Sequence, residues 1–178
     1  MLKKLIESDK QTEVNNSHSL KICVLHGPNL NLLGQREPDI YGTLTLNEIN
    51  KLLELEGKTL DVEVISFQSN SEGALIDFIQ RSDKLCEGII LNAGAYTHTS
   101  IAIRDAIAAI KLSVIQVYFT NIYKREAYRS ESFSAVAIGQ ISGFQHNSYL
   151  LALHALANYL KQPKILKHSN QLSIREQT

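Results

Sequence analysis

Cysteine is scarce. Cys23 and Cys86 are the only two, and both sit in apolar surroundings without a CxxC or a Cys/His ligand spacing. That argues against a disulfide scaffold or a structural zinc site and for reduced, buried thiols. Net charge is absent too: Lys+Arg and Asp+Glu each number 18 in 178 residues, so nothing draws the molecule as a whole onto nucleic acid or an anionic membrane. No run approaches the ~18 apolar residues of a membrane span, and Met1 to Ser19 lacks the continuous apolar stretch of a secretory signal. A cytoplasmic location is expected. Neither GxGxxG nor a P-loop occurs, and no two glycines stand at i and i+2. The nucleotide-binding fingerprints are therefore missing and a site without cofactor or metal is expected.

What is present is a chain 44% hydrophobic, suited to one domain with a well-filled core. Residues 1–19 are polar, short of aromatics and aperiodic, which predicts a flexible arm; residues 162–178 read as a polar tail. Within 20–161, short apolar runs alternate with amphipathic ones: Leu20–Leu25 then Leu46–Leu55, Val62–Phe67 then Ala74–Leu85, Gly88–Leu91 then Ile101–Ile110. Ser113–Phe119 and Ser134–Ile141 add two strand-like runs. Ser148–Leu160 closes the chain as a helix with Leu150, Leu153, His154 and Ala157 along one stripe. Five strands with interleaved helices predict an α/β fold, a five-stranded parallel sheet covered on both faces.

Ligands of such sheets bind beyond the carboxyl ends of the strands. After the first strand, HGPNLNLLGQREPDIYG (residues 26–42) holds two of the three prolines and three of the nine glycines. This is a long loop of the kind kept for lids and binding, with Asn29, Asn31, Arg36, Glu37 and Tyr41 among its turn residues. After the third strand, NAGAYTHTS (92–100) opens a helix that Thr97 or Thr99 could cap, with His98 at its start. After the fourth, TNIYKREAYRS (120–130) carries Arg125 and Arg129 four apart, a spacing that suits a carboxylate clamp on one helical face.

Together these segments resemble the type II 3-dehydroquinate dehydratases, small flavodoxin-like dehydroquinases of the shikimate and quinate pathways, one serving aromatic amino acid biosynthesis. The likeness runs from about Leu20 to Leu160. It is carried by GPNLNLLGQREPDIYG, by NAGAYTHTS with Asp105, and by TNIYKRE with Arg129 followed by AIGQISGF and Tyr149. The resemblance implies dehydration of 3-dehydroquinate to 3-dehydroshikimate through an enolate, with no metal or organic cofactor. Tyr41 would remove the proton beside the substrate ketone. That role needs phenolate, whereas an unperturbed tyrosine titrates near ~10, and Arg36 would supply the charge that favours it. Asn29 would hold a water against the enolate oxygen. Asn92, His98 and Arg129, with the backbone at Phe119 and Thr120, would hold the ring hydroxyls and the carboxylate, Arg129 being preferred to Arg125. Asp105 would reach a neighbouring subunit's site, in trimers gathered into dodecamers. The small-molecule substrate and copies of the chain itself are the partners so implied, with neither nucleic acid nor membrane.

The same resemblance marks departures. Where the family carries Glu, one residue and then the His that protonates the leaving hydroxyl, this chain has Gln116 and Tyr118. Tyr118, or a water it holds, would then be the proton donor, and a neutral phenol is a far weaker acid than an imidazolium. Gln145 and Ser148 stand at positions usually glycine. The reading is a dehydratase of reduced activity. The alternatives are a homologue that binds dehydroquinate or a related cyclic polyol acid without turning it over, and a lyase acting on a related substrate.

Overall fold

The computed structural model of the chain describes residues 19–35, 38–126 and 133–163. The arm and tail expected at the two ends fall on residues 1–18 and 164–178, outside the described residues apart from Ser19, Gln162 and Pro163. Between them run β1 (Leu20–His26), α1 (Pro38–Tyr41), α2 (Leu46–Thr59), β2 (Val62–Gln68), α3 (Glu72–Arg81), β3 (Gly88–Asn92), α4 (Tyr96–Thr99), α5 (Ile101–Ala109), β4 (Ser113–Tyr118), β5 (Gly139–Ser142) and α6 (Asn147–Lys161). The strands form one sheet in the order β2-β1-β3-β4-β5 with every neighbouring pair parallel. This is the α/β architecture that the alternating runs predict.

Side chains alternate across a strand, and β1 uses both faces. Ile22 and Val24 join Ile49 and Leu53 of α2 and Tyr149, Leu153 and Leu156 of α6 in one core. Cys23 and Leu25 join Leu75 and Ile79 of α3 and Ile103 and Ile107 of α5 in the other. That double burial explains why β1 and β3 read as unbroken apolar runs rather than alternating ones. Cys23 and Cys86 are free, buried thiols of the second core. The hydrogen bond to Cys86, with burial, holds the Cys23 thiol far above the usual thiol range. Among the described residues no helix is long and apolar enough to cross a membrane.

Three local expectations are corrected. The inward stripe of α6 is Tyr149, Ala152, Leu153, Leu156 and Ala157, with Leu150 packed at its margin; of the expected stripe Leu150, Leu153, His154 and Ala157, only His154 departs. His154 instead faces outward, its Nε2 2.7 Å from Glu56 Oε1 on α2. The fifth strand is shorter than Ser134–Ile141, because Phe133–Val136 forms a 3-10 turn and Val136 packs on the second core. The helix after β3 is broken at Ser100. Ser100, not Thr97 or Thr99, caps α5, its Oγ accepting from the Ile103 amide at 2.9 Å. Ser100→Ala should therefore lower stability by about 1 kcal/mol in urea denaturation, the usual worth of a cap, whereas Thr99→Ala should stay within about half of that. Equal effects would remove the cap from Ser100.

Candidate active site

The carboxyl ends of β1, β3 and β4 open onto one cleft of about 750 Å³ including its mouth. β1 runs out at His26 beside Asn92 of β3, and the two chains leave the sheet in contact: the Gly27 amide donates to the Asn92 carbonyl at 2.7 Å. A Cβ on Gly27 would collide with the Ala93 carbonyl, so glycine is the only residue that fits. Two residues on, Asn29 has φ 66°, a left-handed conformation that asparagine tolerates better than most residues. It brings Asn29 to the cleft wall.

The sequence-derived candidates converge here in large part. Asn29, Tyr41, Asn92, His98, Tyr118, Phe119 and Thr120 all line the cleft. The rings of His98 and Tyr118 lie nearly parallel, 19° apart with centroids at 6.4 Å. Phe119 stands edge-on to Tyr41 at 6.3 Å and to Tyr149 at 5.5 Å, so the tyrosine of the loop is braced through two rings to the core. Gln116 is fully buried two residues before Tyr118 on β4. Asp105 does not line the cleft. Its side chain is 65% exposed and meets the Arg104 guanidinium at 3.1 Å. Arg36 and Arg129 lie outside the described residues.

Among the described residues the cation beside the phenol is Arg125, the arginine that the family resemblance ranks below Arg129. Its Nη1 donates to Tyr41 Oη at 2.8 Å, with the guanidinium carbon 5.9 Å from the ring centre. The bond to Tyr41 is the largest cause holding the Arg125 guanidinium above its ordinary range; burial opposes it. The helical pairing of Arg125 with Arg129 begins on no helix: Ile122–Lys124 is a 3-10 turn and Arg125 is extended. That turn is set by Asn121, whose Oδ1 accepts from the Tyr123 amide at 3.0 Å.

Two groups of residues escaped the sequence reading. Asn70, just after β2, accepts the Asn29 amide at 2.9 Å and a Gln68 amide proton at 3.1 Å, while Tyr96 Oη donates to its carbonyl at 2.9 Å. The signal was available, since QSN directly follows a strand of an open sheet. The second group is buried. His26 lies wholly inside, with Nδ1 2.9 Å from Tyr149 Oη and Nε2 2.9 Å from Asn50 Oδ1. At the last loop, Gln145 takes a left-handed φ of 52° and its amide donates to the Phe119 carbonyl at 2.9 Å. Ser148 Oγ accepts from the Phe144 amide.

An open parallel sheet in the order 2-1-3-4-5, with a polar cleft at its carboxyl ends, defines a flavodoxin-like α/β protein with a small-molecule site. Residues 20–157 match the family described as Dehydroquinase class II, and the chain belongs to it. The chain is 60% identical over 142 residues to a 3-dehydroquinate dehydratase of Gloeothece citriformis, covering 79% of this chain and 93% of that one. It is 55% identical over 144 residues to one of Geotalea daltonii, covering 80% and 100%. A crystal structure of a type II dehydroquinase from Butyrivibrio crossotus superimposes with a TM-score of 0.75 at 41% identity, covering 77% and 97%.

Burial pushes the His26 imidazole down from 6.5 to about 4, against the opposing effect of the Asn50 bond. Above pH 6.5 folded and unfolded chains bind the same number of protons at this site. Between 6.5 and 4 the unfolded chain binds up to one more, so stability is lost as the pH is lowered, by at most ~1.4 kcal/mol per unit. His26→Gln should flatten this part of the profile, read from urea midpoints at pH 7 and pH 5. An unchanged slope would remove His26 as its source.

Proposed function

We propose that this chain is a 3-dehydroquinate dehydratase, a carbon–oxygen lyase converting 3-dehydroquinate to 3-dehydroshikimate through an enolate. The observation that carries the reading is Tyr41 Oη held 2.8 Å from Arg125 Nη1, in a cleft whose other polar walls include Asn29, Asn92, His98 and Tyr118. The names of relatives sharing more than half their residues with this chain support it.

The chemistry follows from a base beside a fixed cation. Tyr41 as phenolate takes the proton next to the substrate ketone, and the electron pair of that C–H bond moves onto the ketone oxygen. The guanidinium of Arg125, joined by Arg36, offsets the phenolate charge before the transfer. Asn29 holds a water against the enolate oxygen, stabilising charge that exists only as the reaction proceeds. The enolate then expels the C1 hydroxyl. Tyr118, or a water on it, supplies the proton with which that group leaves as water. One proton gained at Tyr41 and one lost at Tyr118 balance the step, and solvent resets both. Asn92, His98, Arg129 and the backbone at Phe119 and Thr120 bind the hydroxyls and carboxylate. No metal or organic cofactor enters this scheme.

Gln116 and Tyr118 replace the family's Glu and His donor pair in this reading. The replacements make joint sense: position 116 is fully buried, where a glutamate without its histidine would be an uncompensated charge and glutamine is its neutral isostere. The same replacements favour the second reading, a cytoplasmic protein that binds dehydroquinate or a related cyclic polyol acid and does not turn it over. Asp105, which does not line its own cleft, serves a neighbouring subunit in a trimer-based assembly, a dodecamer in full.

Mixing the purified protein with 3-dehydroquinate should generate the absorbance of the conjugated enone product; no growth at micromolar enzyme would select the binding reading. Tyr41→Phe should abolish turnover while ligand binding, followed by calorimetry, largely survives. Activity within a few-fold of the parent would take the base role from Tyr41.

A weak donor at position 118 limits kcat rather than KM, because the binding contacts do not depend on it. Gln116→Glu with Tyr118→His should raise kcat by up to the ~10²–10⁴-fold a positioned general acid contributes, and by more than the two single changes multiplied together. Tyr118→His alone lacks the carboxylate that orients its ring, and Gln116→Glu alone buries a charge against a phenol. A double variant no faster than the parent would show that the donor does not limit the rate.

A further inference from the structure

The segment after β2, Gln68 to Asn70, takes no part in the chemistry above and, like Tyr96, lines no part of the cleft. It nevertheless follows the loop after β1 almost residue by residue. The Ser69 amide donates to the His26 carbonyl at 3.0 Å, which carries the β1–β2 pairing one step beyond the sheet. Gln68 Nε2 donates to the Gly27 carbonyl at 3.3 Å and to Asn70 Oδ1 at 3.1 Å. Asn70 Oδ1 also accepts the Asn29 amide at 2.9 Å. Two donors thus meet one oxygen, and turning the Asn70 amide over would set its NH2 group against both. Tyr96 Oη closes the arrangement by donating to the Asn70 carbonyl at 2.9 Å.

What these bonds hold is a choice of backbone at Asn29. An asparagine directly before a helical turn usually takes an extended backbone, and its side-chain oxygen then accepts from an amide two or three residues on. Asn29 stands directly before the 3-10 turn Leu30–Leu32, but with φ 66°, and its side chain makes no such cap. It stands at the cleft wall instead. The left-handed conformation is the less favourable one for a residue with a side chain, and an extended backbone would turn the side chain from the cleft to the amides of the turn. With the Asn29 amide on a fixed acceptor and Gly27 held two residues before it, the loop has little freedom to make that change.

We propose that Asn70, fixed by Gln68 and Tyr96, is a positioning residue that keeps the Asn29 backbone left-handed, and so keeps its side chain at the cleft before substrate arrives. The inference rests on the reading of Asn29 as the residue that holds a water against the enolate oxygen.

Two experiments test it. In steady-state kinetics with 3-dehydroquinate, Asn70→Ala should lower kcat by about 3- to 10-fold, the worth of one neutral hydrogen bond, with KM within about twofold, because Asn29 acts on charge that exists only as the reaction proceeds. Asn70→Asp keeps an acceptor for both donors and should hold kcat within about twofold of the parent. A merely structural role would lower thermal stability and leave kcat in place, which overturns the proposal, as does an aspartate variant as slow as the alanine variant. The loss from Asn70→Ala should vanish in an Asn29→Ala background, since Asn70 acts through Asn29; losses that multiply overturn the proposal. In hydrogen exchange followed by NMR, the Asn29 amide should be protected in the native protein and in Asn70→Asp and lose that protection in Asn70→Ala. Rapid exchange in the native protein overturns the clamp whatever the kinetics. Native turnover by Asn29→Ala, or no turnover by the native protein, counts against the reading of Asn29 or of the dehydratase instead, and the exchange result then decides the clamp alone.

Discussion

The site depends on one close approach, the backbone of Gly27 against Asn92 and Ala93. The 2.7 Å bond from the Gly27 amide to the Asn92 carbonyl extends the β1–β3 pairing one step past the sheet, and a side chain at 27 would force the two chains apart. Gly94 repeats the constraint from the other side. It has φ 56°, and a Cβ there would stand 3.1 Å from the Pro28 carbonyl. With both chains pinned, the loop carrying Asn29 and the short helix carrying His98 leave in fixed directions and face one cleft. β4 completes it from the next position in the sheet, delivering Tyr118, Phe119 and Thr120.

Electrostatically the described part of the cleft is organised around the Arg125–Tyr41 pair. The Arg125 side chain is 19% exposed and also meets Glu126 at 3.4 Å, so its charge is only partly offset by a carboxylate nearer the solvent. Water screens such a cation weakly, and its effect on a neighbouring oxygen grows accordingly. The edge-on ring contacts from Tyr41 through Phe119 to Tyr149 hold the phenol in place beside it. Position and charge thus come from different elements. The sheet and α6 fix the ring, and the turn after β4 brings the guanidinium.

How much of this was legible in the sequence depends on what kind of signal each feature leaves. Strands buried on both faces leave apolar runs, and these located β1, β3 and β4 to within a residue. Residues after those strands were found because an open sheet makes their position meaningful. The i, i+4 spacing pairs Arg125 with Arg129 on a helical face, whereas the backbone makes one 3-10 turn and then extends at Arg125. No periodicity reveals where a loop side chain ends. In α6 the expected stripe shares Leu150, Leu153 and Ala157 with the core-facing side but omits Tyr149. That residue reaches the buried His26, a contact 123 residues away in the chain and invisible to local pattern. Asn70 was missed for a plainer reason: β2 is the edge strand, and its loop lines no part of the cleft.

That edge loop shows how a residue outside a site sets its geometry. Left-handed backbone at a residue other than glycine costs on the order of 1–2 kcal/mol, and Asn29 adopts it where it meets the cleft. The conformation persists because the amide it exposes has a fixed acceptor in Asn70 Oδ1. Asn70 is itself held by Gln68 from β2 and by Tyr96 from the helix after β3. The strain at Asn29 is thus opposed by groups anchored to the two strands that flank β1. Four strand ends then act on one cleft, three by lining it and one by bracing the loop of another. In such an arrangement the spacing between functional groups is inherited from the ladder of the sheet, about 4.8 Å per strand, and the loops need only enough rigidity to keep it.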